Sequence, residues 1–193
     1  MNARTVIFAT AILACGPAAA TGESSVTACL ECHGRAEYHG QAPAIAGQHD
    51  PYMQVQLRRF RDRHRDVFPM SAFAGGLDDD RIAAIAGALS RLPWIAQCSG
   101  FDATAAEQGA AQAGRMGCPD CHGAGFEGVE VIPRLAGQDP VYLERQIRNF
   151  IQGRRYHPPT ASGLHMDTLE APEVAALAAY INSLGPCPAR AGR

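Results

Sequence analysis

The chain is written twice. "CLECHG" at residues 29–34 returns as "CPDCHG" at 118–123, 89 positions later, and the likeness extends well past six residues. "PAIAGQHDPYMQVQLRRFRDRHR" follows the first copy and "PRLAGQDPVYLERQIRNFIQGRR" the second. Within these, Ala46-Gly47-Gln48 matches Ala136-Gly137-Gln138, Tyr52 matches Tyr142 and Phe60 matches Phe150, all at an offset of 90. Further on, Ile82, Ile85, Leu89 and Leu92 repeat the 3-4-3 spacing of Val174, Leu177, Ile181 and Leu184, which lines one apolar stripe on a helix. Such self-similarity predicts two copies of one small unit in tandem.

Each half has the same order of signals. A helix leads to the Cys motif and a Gly/Pro-rich loop follows. A second helix begins near Asp50 or Asp139, with a Pro in its first turn and the acidic residue placed to cap it. A Pro-containing loop carrying a Met comes next, and a closing helix starts after Asp78 or after Ala171-Pro172. Strand-like alternation is absent, so the expected fold is all-α. The expected boundaries are a first domain at 21–96, a linker at 97–102 marked by Ser and Gly, and a second domain at 103–193.

The first residues, "MNARTVIFATAILACGPAAATGE", have Arg4, an apolar run too short to span a membrane, and Ala18-Ala19-Ala20 as a peptidase site. They predict a signal peptide at 1–20 and a periplasmic protein. The alternative is a lipoprotein box with a lipid on Cys15, which would tether the chain to a membrane. Formal charge is −2 and all 17 basic residues are Arg, so no strongly cationic face is available and nucleic acid is excluded as an expected partner.

Seven Cys are present. Four lie in the two motifs and Cys15 is removed or lipidated, which leaves Cys98 and Cys187 to pair in an oxidising compartment or to remain as two buried thiols. The motifs themselves admit three chemistries. In CxxCH the two thiols can form thioethers with haem vinyl groups while the adjacent His reaches the iron. "CPDCHGAG" also matches a zinc knuckle, but the first copy lacks the following Gly pattern and the CxxC pairs are too distant in sequence for the usual Cys₄ site. A CxxC redox site expects a βαβ context that is missing here. Haem is the favoured reading.

A low-spin haem needs a sixth ligand, and a Met thioether favours ferrous iron. Met1 is in the signal, Met116 is too close to its motif and Met53 sits at a core helix position. Met70 in "VFPMSAF" and Met166 in "GLHMDTL" remain, one per half. Met70 follows Pro69, which stiffens its loop, whereas Met166 has His165 beside it and His157 upstream. A bis-His second site is therefore the rival to His/Met there. His39, His49 and His64 are read as surface or loop residues. Pro43-Ala44-Ile45 and Pro133-Arg134-Leu135 read from the residues alone as turn formers. The Arg-rich runs at 58–65 and 145–155 can meet haem propionates, an acidic partner or solvent.

Tandem CxxCH units, the "AGQ...Y...Q(L/I)R.F" helix and the ending "PM..FA..L.DD.IAAIA..L" resemble the dihaem class I cytochromes c of the cytochrome c4 group, over nearly the whole mature chain. The resemblance implies two lobes with approximate twofold symmetry, each around one haem c, and gives the Pro43 and Pro133 segments, besides turn formation, the role of offering a carbonyl to the motif histidine. Cys29, Cys32, His33 and Met70 would serve the first, and Cys118, Cys121, His122 and Met166 the second. It implies an electron carrier rather than an enzyme, serving a quinol-oxidising complex, a dehydrogenase or a terminal oxidase. The alternative is the haem subunit of a dihaem oxidoreductase, peroxidase-like or sulfur-oxidising, with one labile sixth ligand.

Overall fold

A computed structural model describes residues 22–98 and 100–187, with side chains from residue 26 onward; the expected signal segment and Cys15 lie outside the described residues. Among the described residues eight α-helices run in order: α1 Gly22–His33, α2 Asp50–Arg61, α3 Met70–Ala74, α4 Asp79–Ser90, α5 Ala103–Arg115, α6 Cys118–His122, α7 Pro140–Ile151 and α8 Ala171–Ser183. Among the described residues there is no strand, and an isolated bridge joins Val129 and Ile132. The all-helical expectation holds. In the first lobe α1 and α2 pack on the closing helix α4; in the second, α5 and α7 pack on α8.

The apolar stripes of the two closing helices make the cores. Ile85 and Leu89 of α4 bury against Met53 of α2, and Leu177 and Ile181 of α8 against Leu143 and Ile147 of α7. Each such side chain contributes about 1.5–3 kcal/mol on leaving water. Met116, set aside as a ligand, is 1% exposed and belongs to the second core, as Met53 belongs to the first.

Two local expectations need correction. Asp139 caps α7, its carboxylate accepting from Tyr142 N at 3.0 Å, but Asp50 does not cap α2. The first half carries one extra residue, His49, between Gln48 and Asp50; His49 takes the cap position without a side-chain bond to the helix, and Asp50 in the first turn accepts from Gln54 Nε2 at 2.8 Å. Met70 does not sit in a loop either. It opens the short helix α3, which packs on α2.

The repeated Ala-Gly-Gln has one job in both lobes. Gly47 and Gly137 adopt φ of +71° and +73°, and their N–H groups donate to the closing helices at Leu89 O (2.9 Å) and Ile181 O (3.0 Å). A side chain at Gly47 would meet the backbone of Trp94 at 2.5 Å, so only glycine serves. The next residue then crosses to the other lobe. Gln48 donates from Nε2 to Arg134 O and accepts from Arg134 N, both at 2.9 Å. Gln138 donates to Ala44 O at 3.1 Å and accepts from Ala44 N at 2.8 Å. Gln48 and Gln138 are 4% and 3% exposed, and their targets are equivalent residues at the same offset of 90. A local twofold axis therefore runs between the lobes.

The expected linker is pinned at its start. Buried Gln97 donates its N–H to Gly137 O at 2.8 Å and its Nε2 to Ala42 O at 3.0 Å, while its own carbonyl accepts from Asn182 Nδ2 at 3.2 Å. The next residue, Cys98, is disulfide-bonded to Cys187 across a Cα–Cα distance of 4.9 Å, the pairing that cysteine parity favoured.

Candidate haem sites

The two CxxCH segments are held differently. In the first lobe the motif forms the last turn of α1; in the second, Gly117, at φ +67°, ends α5 and the motif makes its own short helix α6. Either way the four-residue spacing keeps both sulfurs and the His on one turn. Cys29 and Cys118 are half-buried, Cys32 and Cys121 exposed, and all four are free thiols. Burial pushes the Cys29 and Cys118 thiols up, with the neighbouring Cys32 adding to the effect at Cys29.

The motif histidines are oriented as expected from the prolines. His33 Nδ1 lies 2.8 Å from Pro43 O, and His122 Nδ1 lies 3.2 Å from Pro133 O. A carbonyl is an acceptor, so Nδ1 carries the proton and Nε2 is left as the metal-binding nitrogen. Burial holds both imidazoles below the usual His range, which keeps them neutral. Two unpaired thiols and an oriented, neutral imidazole on one helical turn are the donor set that a covalent haem requires. The zinc reading is not built: among the described residues no group of three or more His, Cys, Asp or Glu is gathered to hold an ion.

The sixth-ligand residues are less alike. Met70 is partly buried at the start of α3, and Met166 opens a 3₁₀ turn over 166–168, where it packs against the second core. Near Met166, His157 sits 6.3 Å from His122 between ring centroids, and Phe150 lies edge-on to it at 5.0 Å. His165 is exposed.

The arginine runs divide. Arg58 and Arg61 pair with Asp79, and Arg63 with Asp66, as solvated helix faces do. Arg65 and Arg155 go inward at the lobe interface. Arg65 donates to Gln56 Oε1 (2.9 Å), Tyr142 OH (3.2 Å) and Gln146 Oε1 (3.0 Å). Arg155 donates to Gln146 Oε1 (2.8 Å), Tyr52 OH (2.9 Å) and Gln56 Oε1 (3.3 Å). Their guanidinium groups lie over the rings of Phe60 and Phe150 at 4.6 and 4.8 Å. Every element of this network repeats at the offset of 90, and every acceptor in it is neutral. The sequence contained the signal for this cluster, and for the Gln bridges, in its strictest matches.

The Cytochrome c family model matches residues 106–185. Across both halves, the chain is 32% identical to the thiosulfate dehydrogenase electron acceptor of Stutzerimonas stutzeri (strain A1501), over 82% of this chain and 79% of that protein. The chain belongs to the dihaem cytochromes c of the c4 type. It is also 29% identical to cytochrome c-552 of Acidithiobacillus ferridurans, over 93% of this chain and 86% of that one. The solved cytochrome c4 structure of Acidithiobacillus ferrooxidans superposes with a TM-score of 0.70 at 28% identity, covering 81% of this chain and 99% of that one. As a cytochrome of this type it binds two haem c groups and transfers electrons; it is a carrier and not itself a catalyst. Among the described residues no helix is long and apolar enough to cross a membrane.

Proposed function

We propose that this cytochrome is an exported, periplasmic electron shuttle whose haems are bound at the two CxxCH turns. Cys29, Cys32 and His33 hold the first, and Cys118, Cys121 and His122 the second. The observation that carries the reading is the repeated anchoring of His33 and His122 on Pro43 and Pro133, which presents an uncommitted Nε2 beside two free thiols in each lobe. Each haem supplies a ferric/ferrous couple. Met70 takes the sixth position in the first lobe. In the second lobe the sequence offers Met166 for that position and the structure offers His157. Arg65 and Arg155 bring fixed positive charge to the interface, where haem propionates find compensation: Arg65 is close enough to depress the His33 pKa, and Arg155 that of His157.

The donor and acceptor are redox proteins: a quinol-oxidising complex, a dehydrogenase or a terminal oxidase. Relatives named as electron acceptors of a thiosulfate dehydrogenase favour a sulfur-oxidising dehydrogenase as the donor. Absorption spectra of the purified protein, oxidised and reduced, with and without carbon monoxide, test the whole reading when combined with intact mass. Two covalent haems, neither binding carbon monoxide rapidly, are expected, on a mature chain beginning at Thr21. A chain without covalent haem overturns the reading; rapid binding at one haem favours the labile-ligand oxidoreductase subunit instead.

A further inference from the structure

The second lobe contains a histidine pair with no counterpart in the first. The rings of His122 and His157 are 22° from parallel, and their centroids are 6.3 Å apart. Nδ1 of each is occupied by a proline carbonyl, Pro133 O at 3.2 Å for His122 and Pro158 O at 2.6 Å for His157. In both rings Nε2 is the nitrogen left for a further bond. Phe150 walls His157 on another side. At the offset of 90 the counterpart of His157 is Val67.

Met166 is placed otherwise. Met70 precedes Ile82 by twelve residues, but Met166 precedes the equivalent Val174 by only eight, so the register of Met70 falls on exposed Ser162. The Met166 side chain instead packs on the apolar cluster that includes Phe126, Ile147 and Leu169. His165 is exposed.

We propose that His157, and not Met166, is the sixth ligand of the second haem. This rests on the reading that the CxxCH turns hold haem. With metal–imidazole bonds of about 2 Å, two rings sharing one metal from opposite sides have centroids about 6 Å apart, which is the separation found here. Imidazole in place of a soft thioether favours ferric iron and lowers the potential. The two haems are then unequal, low in the second lobe and high in the first, and an electron entering at the second lobe runs downhill to the first.

The near-infrared absorption and magnetic circular dichroism of the ferric wild-type protein provide a test that needs no variant. One haem in two should show thioether-to-iron charge transfer and the other the signature of two imidazoles; thioether signal from both overturns the proposal. Met166→Ala should leave that signal unchanged, whereas His157→Ala should abolish the two-imidazole signature. Loss of half the thioether signal in Met166→Ala, or an unchanged spectrum in His157→Ala, overturns it. A haem count of two per chain by mass keeps these outcomes separate from failure of the haem reading itself.

Discussion

Gln48 and Gln138 grip each other's lobes: each side-chain amide closes a two-bond ring on the backbone of the residue four positions before its partner, Arg134 and Ala44. Ala44 is 5% exposed, so truncating Gln138 strands a buried N–H and a buried carbonyl. Each stranded group costs about 1–3 kcal/mol. Gln138→Ala should therefore lose about 2–5 kcal/mol in denaturant unfolding, and Gln48→Ala a similar amount. Gln138→Glu should restore little, because a carboxylate accepts from Ala44 N but has nothing to donate to Ala44 O. If both Ala variants unfold at the wild-type midpoint, the bridges contribute nothing.

The Cys98–Cys187 disulfide closes a loop spanning 89 residues and secures the end of α8 to the segment that joins the lobes. On the chain-entropy account a loop of this length stabilises by up to about 4.5 kcal/mol. Replacing both cysteines by serine should lower the unfolding free energy by several kcal/mol without changing the haem spectrum. Thiol titration of the denatured, unreduced holoprotein should find none free, since the remaining cysteines of the mature chain are engaged in thioethers.

How much of this was legible in the sequence depends on the kind of pattern. The helices and the two lobes were legible because duplication and apolar periodicity are local signals, and the CxxCH turns because attachment and ligation occupy adjacent residues. The capping of α2 is not legible in the same way, because one inserted residue, His49, moves the cap away from Asp50 while leaving the motif recognisable. The roles of Gln48, Gln138, Arg65 and Arg155 were hidden for a different reason. Their partners in the other lobe lie between 77 and 103 residues away, and only the folded pairing of lobes brings them together. The contest at the second haem is legible in the sequence as two histidines, His157 and His165, close to Met166, but it takes ring geometry to single out His157.

Two glycines of α5 should respond in opposite directions. A Cβ built at Gly109 would stand 2.0 Å from Ala176 O and 2.8 Å from the Tyr180 Cβ, because α5 and α8 cross there at backbone contact. Gly109→Val should separate the helices and cost about 3 kcal/mol or more. Gly114, on the same helix, has nothing within 4 Å of its built Cβ. Gly114→Ala should gain about 0.4–1 kcal/mol by restricting the unfolded chain. Thermal melts of the two variants would decide this, and a neutral Gly109→Val would show that the crossing is looser than described.

Arg65 and Arg155 should set the potentials of the haems as well as the fit of the lobes. Ferric haem carries one more positive charge than ferrous, so a fixed cation nearby favours the ferrous form and raises the potential. Arg65 is buried and Arg155 half-buried among neutral acceptors, where screening is weaker than in water and a unit charge acts at close range with an energy on the order of 1 kcal/mol or more. Arg65→Gln should lower mainly the potential of the first haem, whose His33 feels this charge, and Arg155→Gln mainly that of the second, near His157. Spectroelectrochemical titration resolves the two couples, and the shift should persist at high salt because the charges are not at the surface. A variant that keeps both haems while its potentials stay put would show that these arginines do not tune the haems.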